Sequence, residues 1–446
     1  MAIGPARSSF LQKRLFSGSF QRPLRLISRR PGRLAVSSSP KADDRMLTMR
    51  ARILVLIPAA FIAAACAVDE PTTAVRSITP DQASAFDAVK FWEAGATVAW
   101  NATATSLAAT RVVDAVRMYT YLSLAQLRAA ETANAAPGPH PPVSAAIGGA
   151  SVAVLRSFFP LDVAAIEAAL DAQQAADPWP GAKHADFAAG EAIGRAVGAR
   201  VLTFAQGDLL GLTDPLLPPT GPRPVGPGYW IYNGGPLARG GIGARPFFLK
   251  SGDQFRPGPP PTFAGAEYNA ALAEVRHISD TRTAEQIAIA NYWNVNQSPR
   301  SAAAMMGIAR ELIVSHRRGD AEAARIMFLA SAASFDASIG CFDAKYHYWF
   351  VRPPQADAGI VTVFPTPPHP SYPSAHSCIS GAMTGVLAGI FPDARAQLEA
   401  AAQEASLSRL YAGIHYRFDM VAGLALGRGI ASLALATNLS TVAPLP

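Results

Sequence analysis

The chain has 446 residues, half of them hydrophobic and 16% charged, which suffices for a large buried core and excludes disorder over most of the length. Its 35 Gly and 37 Pro follow no triplet period, so collagen is excluded and a long irregular segment is expected, while three Cys exclude a disulfide scaffold. The formal charge of +7 is confined to the start: residues 1–52 hold 12 Lys/Arg against Asp43 and Asp44, leaving 27 basic and 30 acidic groups beyond, so no nucleic-acid partner is expected.

Residues 1–48 read as a non-folded extension or a mis-assigned start, since 1–45 are rich in Arg, Ser and Pro without apolar periodicity. From Met46 or Met49 the chain shows a charged stretch, the apolar run Ile53–Ala65 with Pro58 inside it, and Ala63-Ala64-Ala65-Cys66. Residues 49–66 therefore read as an export signal, too short to span a bilayer comfortably. Cys66 after three alanines resembles a lipobox, although Ala63 stands where Leu is usual. Two outcomes stay open, a lipid anchor at Cys66 or ordinary cleavage nearby. The expected location is outside the cytoplasm: periplasmic, outer-membrane-anchored as a lipoprotein, or secreted.

An N-terminal helical half is predicted over 67–214. It starts at Thr79-Pro80, an N-cap and the N1 residue helices favour, and carries Phe86, Val89, Phe91 and Trp92 at helical spacing in an Ala-rich run to about Ala135. Further helices are predicted over Val143–Leu155, Leu161–Gln174 and Ala185–Phe204. Residues 215–262 form a long loop, with 12 Pro and 10 Gly between Pro215 and Pro261. Its glycines lack the spacing and the Lys-Ser/Thr of a P-loop, so an irregular surface excursion is the plain reading. A C-terminal helical half over 263–446 carries helices at Tyr268–Val275, Ala284–Trp293, Ala302–His316, Ala321–Ile339, Cys378–Ile390, Ala394–Tyr411 and Met420–Thr437. No period-2 strand is evident, and an all-α helical bundle follows. No stretch beyond the signal reaches 18 uncharged apolar residues, Arg428 interrupting the last helix, so no transmembrane bundle is expected.

Three segments of this half concentrate cations, histidines and turns. In Lys345-Tyr-His-Tyr-Trp-Phe-Val-Arg352-Pro353 the two cations, seven apart, would share a helix face about 10 Å apart along the axis. Two cations on one face repel unless an anion lies between them; two unrelated surface charges are the alternative. In His369-Pro-Ser-Tyr-Pro-Ser374-Ala375-His376, Ser374 at a helix start is a ready oxyanion cradle, with His376 beside it as acid or base, or else a simple cap. In Ser408-Arg409-Leu-Tyr-Ala-Gly-Ile-His415-Tyr-Arg-Phe-Asp419, helical i, i+4 spacing would put Asp419 against the His415 ring and fix its tautomer.

Together and in this order, the segments resemble the type 2 phosphatidic acid phosphatase (PAP2) and vanadium haloperoxidase superfamily, whose signature is Lys-x6-Arg-Pro, Pro-Ser-Gly-His and Ser-Arg-x5-His-x3-Asp. Only Ala375, standing for Gly, departs from it, and its methyl puts anion affinity in question. A weaker likeness to bacterial haloperoxidases extends upstream through Thr283–Gln286 and Asp336 to Lys345. The resemblance implies that Lys345, Arg352 and Arg409 neutralise the equatorial oxygens of a bound oxyanion, with Ser374 and the Ala375 N–H adding hydrogen bonds. It implies that His415 is the axial ligand of vanadate, or a phosphatase nucleophile, with Asp419 orienting it and His376 as general acid/base.

Both chemistries use the same cage, because vanadate and the transition state of phosphoryl transfer share shape and charge. Length favours the haloperoxidase, since soluble bacterial phosphatases of the superfamily lack the extra helical half. His369 occupies the place of a His in algal bromoperoxidases and is a candidate for orienting halide or peroxide, with a solvated loop residue as the alternative. Phe342 is a candidate apolar wall for halide. The expected activity is thus vanadate-dependent oxidation of bromide or iodide by hydrogen peroxide, acting on an organic acceptor, with Lys345 polarising the peroxide oxygen. The alternatives are a phosphatase acting on phosphate monoesters through a phosphohistidine, and an exported anion-binding protein without catalysis. Cys341 and Cys378, flanking the first two motifs, either pair as a disulfide or remain buried thiols.

Overall fold

The computed structural model describes residues 95–445 except 112, 138–140, 177–182, 209–223, 233–236, 239 and 295–299. The N-terminal extension, the export signal with Cys66, and the run from Thr79 to Trp92 lie outside the described residues. Among the described residues there are helices and irregular segments but no strand, only one antiparallel bridge between Tyr229 and Phe350.

The first half comprises α1 (95–108), α2 (Ala115–Asn134), α3 (Val143–Phe158), α4 (Val163–Ala175) and α5 (Lys183–Gln206). The Ala-rich run read as one helical stretch to Ala135 is divided, α1 ending at residue 108 and α2 starting at Ala115, where Asp114 caps α2 by accepting from the Arg117 N–H at 3.0 Å. The second half holds α6 (Ala266–Thr281), α7 (Ala284–Tyr292), α8 (Arg300–Ser315), α9 (Asp320–Tyr348), α10 (Pro353–Ala356), α11 (Ala375–Ile390), α12 (Arg395–Tyr411) and α13 (Arg417–Ala436). At α7, Thr283 and Gln286 form a reciprocal capping box.

Helix α9 is the central helix among the described residues. It is apolar all round, as a helix must be when neighbours cover every face, and packs on α2, α11 and α13. Asp320 and Glu322 in its first turn and Lys345 and His347 in its last suit the helix dipole. It outruns the predicted Ala321–Ile339 and carries Lys345 into the core. By length and composition α9 and α13 could each cross a membrane; 89% of the apolar window of α9 is buried inside the protein and 50% of that of α13.

Helices α11 and α13 approach closely because Gly423 and Gly427 face the α11 backbone: a Cβ at Gly427 would lie 2.2 Å from the Cys378 carbonyl oxygen, and one at Gly423 2.7 Å from that of Ser374. This contact sets the start of α11 beside the start of α13. The Cys341–Cys378 disulfide ties α9 to α11.

The Pro/Gly-rich segment contains no helix among its described residues, but it is more than a surface excursion. Asp336 of α9 accepts the N–H groups of Phe247, Phe248 and Leu249 at 2.8, 2.7 and 2.8 Å. Ser338 Oγ donates to the Gly240 carbonyl at 2.6 Å and Tyr346 Oη to that of Ala238 at 2.6 Å. Buried carbonyls and N–H groups need such partners, and here α9 supplies them.

Candidate active site

The Lys345–Arg352 spacing is not two turns of one helix. Helix α9 ends at Tyr348, Trp349 turns left-handed (φ 52°), and Arg352 is extended (φ −89°, ψ 152°) before Pro353 opens α10. A residue preceding proline is pushed out of the helical region, which the predicted common face did not take into account. Trp349 is held at the bend by its indole N–H on the Trp230 carbonyl (2.9 Å) and by the Trp230 N–H on its own carbonyl (2.7 Å).

Both cations still reach one buried place. Lys345 Nζ donates to the carbonyls of Pro370 (3.0 Å), Ser371 (2.7 Å) and Pro373. Arg352 donates from Nε to the His369 carbonyl (2.9 Å), from Nη1 to that of Ile414 (2.8 Å), and from Nη2 to His369 Nδ1 (2.8 Å). Its Nη1 also lies 3.3 Å from His415 Nε2. His369 is therefore a buried partner of Arg352, not a solvated loop residue. Arg409, in the last turn of α12, donates to Ser408 Oγ (2.9 Å) and the Ala290 carbonyl (3.0 Å) and lies over the Phe364 ring.

Burial lowers the Lys345 pKa well below its usual value, with Arg352 adding to the effect, and lowers Arg352 to about 10; burial and then Arg352 lower Arg409 to about 9. Asp419 is the only carboxylate among the groups that perturb them.

His415 meets Asp419 as expected, Nδ1 to Oδ2 at 2.7 Å, though not as helical neighbours. His415 precedes α13, and Tyr416 is its extended N-cap, whose N–H donates to Asp419 Oδ2 at 3.2 Å. An ionised Asp419 only accepts, so the His415 proton sits on Nδ1 and the Nε2 lone pair is presented. Burial first, then the surrounding cations, hold the His415 pKa well below its ordinary value, and burial pushes Asp419 up to about 6.

The Ser371 hydroxyl, to which the sequence reading assigned no role, donates to the same Asp419 Oδ2 at 2.6 Å. Its position inside the His-Pro-Ser-Tyr-Pro-Ser string was the only available signal. His376 Nε2 donates to the Trp293 carbonyl at 2.8 Å, which fixes its tautomer, and burial followed by Arg409 keeps the ring neutral.

Arg409, His376, His415, His369, Phe342 and Ala375 all line one cavity of about 310 Å³. Lys345, Arg352, Ser374 and Asp419 stand behind its lining residues; the N–H groups of the two cations are engaged by carbonyls and, for Arg352, by the His369 ring, so what they lend the cavity is charge. The Phe342 ring stands edge-on to His369, with centroids 5.0 Å apart. Ala375 is the first residue of α11 and adopts an ordinary helical backbone, so the methyl narrows the lining without demanding glycine's freedom. The Pro/Gly-rich segment contributes Ala238, Gly240 and Gly241 to the wall, which composition could not reveal.

The residues present fit a tetrahedral oxyanion. Three buried cations face a single carboxylate, an excess that a bound anion balances. Ser374 caps the sixteen-residue helix α11, yet its buried Oγ has no hydrogen-bond partner. Helix N–H groups and an unpartnered hydroxyl are donors for the oxyanion's oxygens, and the His415 Nε2 lone pair suits its electrophilic central atom. Among the described residues no cluster of three or more His, Cys, Asp or Glu suits a bare metal ion.

Residues 323–440 match the PAP2 superfamily, in agreement with the motif resemblance. No curated protein matches the chain. Among solved structures, the chain resembles one described as the first bacterial vanadium-dependent iodoperoxidase, with 25% identity and a TM-score of 0.62, over 76% of this chain and 94% of that one. A bacterial vanadium-dependent chloroperoxidase is similar in fold in its holo form (16% identity, TM-score 0.56, over 72% and 90%) and its apo form (15%, 0.55, over 72% and 91%). The all-α fold with the PAP2 arrangement is thus established for this chain.

Proposed function

We propose that this PAP2-superfamily protein is a vanadate-dependent haloperoxidase that oxidises bromide or iodide with hydrogen peroxide. The observation that carries the reading is the buried excess of cations around the presented Nε2 of His415. The likeness to the iodoperoxidase structure, which spans both helical halves, favours this chemistry over phosphate-ester hydrolysis.

Vanadate, when bound, would supply Lewis-acid activation of peroxide without changing oxidation state. His415 would hold it through Nε2, while Asp419, through Nδ1, keeps that lone pair directed outward. Arg409, Ser374 Oγ and the first N–H groups of α11 would bind its oxygens. Lys345 and Arg352 supply positive potential from behind. His376 has Nε2–H committed to the Trp293 carbonyl, so Nδ1 is the atom that takes a proton from incoming peroxide. Phe342 and His369 would border the halide.

The test assays purified protein, with and without orthovanadate, for bromination of a phenolic dye and for aryl phosphate hydrolysis. Halide- and vanadate-dependent bromination supports the proposal. Phosphate hydrolysis without bromination would move the assignment to a PAP2-type phosphatase, and anion binding without either turnover to a binding protein. His415→Ala should abolish whichever reaction occurs; retained activity would refute its role.

We further propose export, with residues 67–214, 215–262 and 263–446 as helical half, connecting segment and site-bearing half of the mature protein. The buried Cys341–Cys378 disulfide supports an oxidising compartment. Mass spectrometry of the mature N-terminus distinguishes a lipid on Cys66 from simple cleavage.

A further inference from the structure

The cavity is larger and more apolar than its ions require. Peroxide and halide are each of about the size of a water, on the order of 30 Å³, and a tetrahedral oxyanion is roughly two to three times that, which still leaves about half of a cavity of about 310 Å³. Beyond the cage it is walled by Phe335, Phe342, Phe364, Pro367 and Ile379. Aromatic walls of that extent suit one ring of a bound organic molecule.

One lining residue does not suit an anion site. Asp114 is the single carboxylate in the cavity lining, and it is exposed, whereas the histidines and arginine of the cage are mostly enclosed. An acid lowers the positive potential that draws halide and oxyanion inward. Its capping of α2 does not require charge, since Asn caps a helix equally well. Arg117 gives its Nε and Nη2 to Asp208 at 2.7 and 3.3 Å, so its guanidinium makes its ion pair there, although its charge still acts on Asp114.

We propose that the cavity binds the organic acceptor directly, with Asp114 as its specificity-determining residue, and that the acceptor is a single aromatic ring bearing a cationic arm. The ring lies among the phenylalanine walls and the ammonium pairs with Asp114. This rests on the haloperoxidase reading for what the site does to the ring, but not for whether the ring binds.

The test compares three probes of matched ring: tyramine, p-cresol and 4-hydroxyphenylacetate. Equilibrium binding is measured on native protein and on Asp114→Asn, which keeps the cap, and relative kcat/KM for bromination is measured in parallel. The native protein, saturated with orthovanadate so that the cage is occupied, should bind tyramine about tenfold more tightly than p-cresol, and 4-hydroxyphenylacetate least, the span expected of one charge-assisted contact. Asp114→Asn should bring tyramine and p-cresol within about twofold of each other. No preference in the native protein, or an equal loss for all three probes in the variant, would reduce Asp114 to a helix cap and overturn the inference. Ordered binding without bromination would leave it standing and refute the haloperoxidase reading instead.

Discussion

Ser371 offers the sharpest test of how the catalytic imidazole is held. Its hydroxyl reaches Asp419 Oδ2 at 2.6 Å, and the same oxygen receives His415 Nδ1 at 2.7 Å. The Ser371→Ala variant keeps the backbone links of this residue, the N–H on the Phe350 carbonyl and the carbonyl under Lys345 Nζ, so the loop should stay in place. A hydrogen bond to a buried carboxylate is worth about 1.5–3 kcal/mol. If roughly half reaches the His415 bond to an anion, about 1.1 kcal/mol, the Kd for orthovanadate rises about sixfold. Isothermal titration of folded Ser371→Ala with orthovanadate reads this directly, and Ser371→Thr, which restores the hydroxyl, should recover most of the affinity. A Kd within twofold of the native value would show that Asp419 needs no second anchor and would refute the reasoning.

Three further outcomes follow from the packing and the charges. Replacing both Cys341 and Cys378 by Ala opens a loop of 37 residues and should cost about 4 kcal/mol in urea unfolding, an unchanged midpoint being the contrary result. His369, His376 and His415 all titrate well below 6.5 in the folded chain, first through burial, so the unfolded chain gains their protons earlier and stability falls as pH drops through 6.5. Each contributes about 0.7 kcal/mol per pH unit at pH 6.5, rising towards about 1.4 below it, and Asp336 and Asp419, both pushed up to about 6 by burial, partly oppose this as pH approaches and passes 6; a melting temperature equal at pH 7.5 and 6.0 would contradict it. Gly240→Ala must hold φ 53° and set a Cβ 2.0 Å from Phe342 Cδ2, so the ring shifts into the cavity; the left-handed backbone alone costs about 1–2 kcal/mol, visible as a lowered melting temperature.

Much of this architecture is legible in the sequence because α-helical spacing and three short motifs are local signals. The motifs place Lys345, Arg352, Ser374, His376, Arg409, His415 and Asp419 around one site without reference to the folded chain. The bend at Trp349 was not legible: a seven-residue interval fits two helical turns, and only the restraint of Pro353 on Arg352 pointed the other way. The function of the Pro/Gly-rich segment was also hidden. Its contacts run from Asp336, Ser338 and Tyr346 to backbone groups some ninety to a hundred positions upstream, and backbone donors and acceptors leave no trace in residue identity. Asp114 was missed for a similar reason, since a helix cap and a cavity wall look alike in one dimension.

The sharp corner between Lys345 and Arg352 changes what the motif's interval measures. Six intervening residues are the length of thread needed to stop a helix, round the indole of Trp349 and return to the same interior point. Inserting or deleting one residue there would not rotate a cation by the hundred degrees of a helical step; it would leave the thread too slack or too short for the turn. Searches for kindred sites should treat this gap as a span to be bridged, and conserve the pivot along with the two charges at its ends.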